Sequence, residues 1–258
     1  MHFKVFTIAR FTLLETMRNR LLWMILVALL SAFTVTEFMG DIAVTDQREI
    51  QLALLANMLR VFGVVLIAVI TVSAGIRELQ DKTLEFVLAL PVSRTGYFSG
   101  KLIGYLILCL LISVMSGLLL MWYGDINAVI VWCSSYLLEL TIVACLGLLS
   151  TYTFRQMAPA LATVFLFYLL SRALNAIVLI SQGPLVKSEG PGQQFIDGFF
   201  ALLNWLLPSL DRFSQTSWLV YGDYTTQSVT AMLIQAVIYI PLLSAVALVD
   251  FHRKNISA

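Results

Sequence analysis

An all-α polytopic membrane protein with six transmembrane helices is the fold class that the sequence predicts. Three observations lead there. Of 258 residues, 60% are hydrophobic and only 12% are charged, about half the charge density of a soluble domain; mean hydropathy is +0.90. Six apolar runs each supply the roughly 20 helical residues needed to cross a hydrocarbon core of about 30 Å. Lysine and arginine gather in alternate connecting segments. Together these exclude a water-soluble globular, disordered or fibrous chain and a nucleic-acid binder with a basic face.

The first twenty residues read as an interfacial helix. Within 3–18, Val5, Ile8, Ala9, Thr12 and Leu13 share one side, while Lys4, Arg18 and Arg20 can reach lipid phosphates. Such a helix would lie on the inner surface and elbow into the first span; the plainer alternative is a loose basic tail that sets topology. The spans follow at roughly 21–38, 57–76, 102–123, 128–150, 157–181 and 229–249. The first ends in Thr34–Val35–Thr36–Glu37–Phe38, without the small-residue site of a cleaved signal, so it is read as an uncleaved helix. Phe195 to Leu210 is apolar over sixteen residues but holds Asp197, Asn204 and Pro208. It is short for a span, so 182–228 is read as one extracytoplasmic loop with interfacial helices. Trp205, Trp218 and Tyr221 would suit its headgroup layer.

Orientation follows from the basic residues. With a cytoplasmic N-terminus, the inner segments hold eleven: Lys4, Arg10, Arg18, Arg20, Arg77, Lys82, Arg94, Lys101, Arg155, Arg253 and Lys254. The outer segments hold three, Arg48, Lys187 and Arg212. Both termini are therefore expected in the cytoplasm.

Between the second and third spans, Gly75–Lys101 is the most informative polar stretch. Ile76, Leu79, Thr83, Phe86, Val87 and Leu90 recur at helical spacing. Arg77, Glu78, Asp81, Lys82 and Glu85 fill the opposite side, with Glu78–Lys82 and Arg77–Asp81 spaced i,i+4. Pro91 would end this helix, because its ring and missing N–H prevent continuation. The element is either a solvated loop or a docking ridge for a cytoplasmic protein. Gly96–Lys101 does not make a phosphate loop, since the glycines are one residue too close and Leu102 follows the lysine. Gly96, Gly100 and Gly104 are instead spaced for close helix packing.

Two ionisable residues lie deep in apolar spans: Glu139 in the fourth and Arg172 in the fifth. Their depths agree within roughly 3 Å at 1.5 Å per residue, and each alone costs ~2.5–3.5 kcal/mol at mid-membrane. A buried pair that fixes helix packing is the expected arrangement, and a polar lining of a substrate path is the alternative. Arg60 is placed near the outer end of the second span, snorkelling to the interface without a function; Glu37 is likewise placed at a boundary. The nine methionines are scattered gap fillers. Cys109, Cys133 and Cys145 sit in apolar runs, and His2 and His252 lie at the chain ends. No disulfide framework, metal cluster or catalytic triad is therefore expected, and the chain is not read as an enzyme.

The pattern as a whole resembles the permease subunits of ABC-2 type transporters, the membrane subunits of type V ABC exporters. Ile8–Ala9–Arg10 and Met17–Arg18–Asn19–Arg20 are similar to the family's elbow helix. Arg77–Glu78, Thr83–Leu84–Glu85, Leu90–Pro91–Val92–Ser93–Arg94 and Gly100–Lys101 are similar to its cytoplasmic signature, with Lys82 where the family often carries glycine. Leu206–Leu207–Pro208, Asp211–Arg212–Phe213 and Tyr221–Gly222 resemble the outer loop of the NosY-like branch. The resemblance implies a six-span half-transporter in a bacterial inner membrane that pairs with a second copy or a homologous permease. It implies a separate cytoplasmic ABC ATPase, which would hold ATP and Mg while this chain holds no cofactor, and leaves room for an extracytoplasmic accessory protein. Arg77, Glu78, Asp81, Lys82, Glu85 and Arg94, in a coupling-helix loop over 76–101, would touch the ATPase, with Arg155 in the short loop Thr151–Gln156 as a secondary contact. The rival readings are a secondary transporter and a membrane assembly scaffold, each acting without an ATPase.

Overall fold

The computed structural model describes residues 2–18, 21–42, 47–81, 93–181, 198, 202–203, 207–223 and 225–253. Its helices are α1 (His2–Arg18), α2 (Leu21–Ile42), α3 (Gln47–Gln80), α4 (Arg94–Leu120), α5 (Ile126–Phe154), α6 (Met157–Ser181), α7 (Ser217–Val220) and α8 (Thr226–Arg253), with a 3₁₀ turn at Leu210–Ser214. Among the described residues there is no strand, and α2, α3, α4, α5, α6 and α8 are long and apolar enough to cross a membrane.

α3 departs most from expectation. It runs unbroken for 34 residues, about 51 Å, and so begins ten residues before the expected span and continues through Arg77–Gln80. Its ends carry their own signals: Glu49 lies in the first turn and Arg77 in the last, each complementing the helix dipole. Residues 77–80 are thus the final turn of a long helix and not the start of a separate one. The rest of the expected coupling helix, including Lys82, Glu85 and Pro91, lies outside the described residues.

α5 is the hub, packed against α3, α4, α6 and α8. Close approach of α3 and α5 depends on missing side chains. A Cβ on Gly147 would overlap the Thr71 hydroxyl, and one on Gly63 would overlap the Tyr136 hydroxyl. α1 packs on α4, with Ala9 and Thr12 of the expected side buried together with Thr16. A Cβ on Gly104 would stand 2.9 Å from Thr12 Cβ and 3.1 Å from the Ala9 carbonyl, so this member of the glycine series makes the expected close contact.

At the opposite end of the bundle from Arg77, the segment after α6 folds onto the helices. Leu210, Phe213, Trp218 and Leu219 are buried, with the 3₁₀ turn against α5 and α6 and α7 against α3 and α5. Trp218 was expected in the headgroup layer; instead its indole is enclosed, because the loop supplies apolar side chains that cap the core. Tyr221 is exposed, and Trp205 lies outside the described residues. At the same end the Tyr123 hydroxyl donates to Glu37, and Arg48 Nε donates to the Tyr123 carbonyl at 2.5 Å, so Glu37 has a specific partner.

Candidate coupling surface and intramembrane charge network

At the Arg77 end, α4 starts cleanly: the Ser93 hydroxyl accepts from Gly96 N–H at 3.2 Å, an N-cap. Arg94 donates to the His252 carbonyl at 3.3 Å, engaging one of α8's last carbonyls. Lys101 is buried and pairs with Glu78, which also accepts from the Tyr97 hydroxyl. Tyr97 and Tyr105 lie on either side of the ammonium, 5.8 and 5.9 Å away. Glu78 is therefore turned inward, contrary to its expected place on an outward ridge. A buried lysine needs a counter-charge, and Glu78 supplies it; Lys82, the expected i,i+4 partner of Glu78, lies outside the described residues. Arg77 and Asp81 are exposed at the same end.

Glu15 of α1 faces this cluster across a cavity of about 360 Å³, lined also by Ile8, Phe11, Arg77, Asp81 and Lys101. Burial, then the neighbouring Glu78 charge, push its carboxyl above the ordinary carboxylate range, while Lys101 and Arg77 pull it back. Arg155 occupies the left-handed region at φ 54°. Its N–H bonds the Thr151 carbonyl at 3.2 Å, closing α5. The expected Thr151–Gln156 loop is thus shorter, because 151–154 stay helical and only Arg155 and Gln156 join α5 to α6.

Deep in the bundle the structure builds a second polar centre, and its main cation is not the expected one. Arg60, 1% exposed, places Nη1 2.7 Å from Glu139 Oε2 and 2.6 Å from the Phe213 carbonyl. Its Nη2 donates to Ser135 Oγ at 3.0 Å. The guanidinium lies over Trp132, 4.9 Å from the ring centroid, a favourable cation–π placement. Arg172 does approach Glu139, but at 3.9 Å. Tyr168 stands between them, donating to Glu139 Oε1 at 2.9 Å and accepting from Arg172 at 2.8 Å. Arg60 was expected to snorkel outward. It cannot, because α3 extends thirteen residues beyond it to Gln47 and the 3₁₀ turn closes above it. The missed signal is the buried series Leu52, Leu55, Ala56, Leu59, Arg60, Gly63, whose helical spacing places Arg60 on the core face. Lys101 had a signal too: Tyr97 and Tyr105 flank it at i−4 and i+4.

The described residues thus form a bundle of helices long and apolar enough to cross a membrane, with a charged face at one end and paired charges enclosed within it. No curated protein matches the chain. A family model described as "ABC-2 family transporter protein" matches residues 14–182, about two thirds of the length, from within α1 through α6. The chain belongs to the ABC-2 transporter family, as a membrane-spanning permease subunit.

Proposed function

We propose that the protein is the permease half of an ATP-driven exporter. Two copies pair in a bacterial inner membrane, with both termini in the cytoplasm, and each engages a separate cytoplasmic ATPase that binds ATP and Mg. The observation that carries this reading is the charged face at the Arg77 end. Exposed Arg77 and Asp81 stand at the tip of the longest helix, with Arg155 at the foot of α5 and Arg94 at the head of α4. The undescribed Lys82 and Glu85 belong to the same contact set. Glu78 and Lys101 brace it from behind.

Because α3 runs unbroken from this face to Arg60, a displacement imposed at its tip reaches the charge network as rigid-body motion. ATP binding biases the membrane dimer only through a difference in docking free energy between its two states. The bound substrate is then moved, or force is passed to an extracytoplasmic partner.

The test uses charge reversal at Asp81 and Glu85 together. Glu78 is left alone because its reversal would also strand Lys101. Substrate-stimulated ATPase activity of the purified complex is expected to fall to the basal rate while membrane insertion and thermal stability are unchanged. Undiminished stimulation would remove the docking assignment. Full transport by the chain reconstituted alone would favour a secondary transporter.

A further inference from the structure

The surroundings of Lys101 hold one carboxylate and donors for two. The ammonium is buried, with the residue 2% exposed, between the rings of Tyr97 and Tyr105. Tyr97 directs its hydroxyl to Glu78, which also pairs with the ammonium. The Tyr105 hydroxyl is buried too, yet among the described residues it has no hydrogen-bond partner. It lies in the field of both Glu78 and Glu15. An unmade buried hydroxyl is costly, so its place beside the ammonium points to a second acceptor. Glu15 is the acid positioned for that part. It is half-buried and lines the same cavity of about 360 Å³ as Lys101, Glu78 and Tyr97. Its helix is registered on α4 nearby, where Ala9 and Thr12 rest against Gly104, about one turn from Lys101. The remaining charged side chains on the cavity are Arg77 and Asp81, from the end of α3. Tyr152 of α5 also senses the ammonium. α2, which packs on α1 as well, carries its acids Glu37 and Asp41 in its last turns.

We propose that Lys101 is a shared counter-charge, on which Glu78 of α3 and Glu15 of α1 exchange places, with Tyr105 donating to Glu15 when Glu15 is seated. In the structure Glu78 holds the ammonium and Glu15 stands off, its protonated form favoured by burial and by the Glu78 charge. Glu78 lies in the last turn of α3, so a movement of that tip away from α4 strands the lysine. A buried ammonium requires a counter-charge. Glu15 then gives its proton to water and closes on Lys101, and α1 is drawn tighter onto α4. The position of the α3 tip and the grip of α1 are thereby linked through one nitrogen. That ATPase docking supplies the movement rests on the permease reading; the exchange itself does not.

The exchange is tested on the full-length chain in neutral detergent, by backbone hydrogen exchange of α1 corrected for its intrinsic pH dependence. Glu78→Gln keeps an oxygen that accepts from Tyr97 and removes the charge. Glu15 then takes Lys101, and the ammonium draws its carboxyl down. An acid lowered in the packed state stabilises above the ordinary carboxylate range and loses that effect as pH falls. In Glu78→Gln, α1 is therefore expected to be better protected at alkaline pH than in mild acid, the reverse of wild type. The expected ratio is about tenfold, the effect of one charge-assisted hydrogen bond. Tyr105→Phe alone should leave the pH response of wild type unchanged, whereas the same change in Glu78→Gln should shrink the reversal. Protection that still favours acid in Glu78→Gln would overturn the exchange, and so would a Tyr105→Phe effect equal in both backgrounds. If Glu78→Gln does not fold, Glu78→Asp serves instead. Its carboxylate is pulled back by one methylene, so the acid preference of α1 should weaken, and an undiminished preference would overturn the proposal. In a complex with the ATPase held by a non-hydrolysable ATP analogue, wild-type α1 should take on the response of Glu78→Gln. Reversal in the variant with none in the complex would uphold the shared lysine and overturn its part in coupling.

Discussion

Arg60 shows how much one side chain can tie together. Its guanidinium joins α3 to Glu139 and Ser135 of α5 and to the Phe213 carbonyl of the capping segment. Arg60→Met would leave Glu139 buried without its main counter-charge, and a loss of about 3–5 kcal/mol is expected in detergent unfolding. Adding Glu139→Leu should recover most of it, because the desolvated charge is then gone. Arg60→Lys should fall between, since one ammonium cannot hold carboxylate, carbonyl and hydroxyl in a single plane. Arg155 is a different case. An arginine at φ 54° is strained by about 1 kcal/mol or more, and glycine would relieve it. Arg155→Gly should raise the unfolding temperature by a few degrees while lowering ATPase stimulation, as expected for a contact residue kept despite its strain. Equal stimulation in that variant would confine Arg155 to helix termination.

Among the elements, the α3–α5 seam and the α1–α4 contact carry the bundle. Gly147→Ala sets a methyl group against the Thr71 hydroxyl and should cost about 1–3 kcal/mol of stability. Thr71→Ala in the same chain should restore much of it, which unfolding curves of the single and double variants would show. α1 carries Glu15 into this contact, where burial and Glu78 raise its carboxyl. A raised acid binds its proton more tightly when α1 is packed. The stabilisation is therefore full below the ordinary carboxylate range and fades as pH rises through the raised value. Backbone hydrogen exchange, corrected for its intrinsic pH dependence, should show α1 better protected in mild acid than at alkaline pH. Glu15→Gln should be protected equally at both; a wild-type α1 that is indifferent to pH would sink the assignment.

For the whole molecule, hydropathy and the charge census were enough to predict the six spanning helices, because each crossing needs a long uncharged run whatever its neighbours do. The same readings placed Glu139 and Arg172 at matching depth and the charged face at one end. They misplaced the start of α3, since Gln47–Ala56 mixes polar and apolar residues and a composition window reads such a stretch as loop. That one boundary turned Arg60 from a core residue into an interfacial one. It also hid the contacts of Arg60, whose partners lie 75 to 153 residues away in the chain. The inward turn of Glu78 was hidden for a related reason: Lys101 meets it only because α4 packs beside α3.

The sequence by itself determined the membrane class, the number of spans and which segments are charged, because these follow from the cost of placing polar groups in hydrocarbon, a property of each segment alone. Only the tertiary structure decided which charges meet, which carboxylate is shared, and that the segment around Phe213 closes over Arg60. Ion pairing falls off steeply with distance, and distance between helices is set by packing, not by order along the chain.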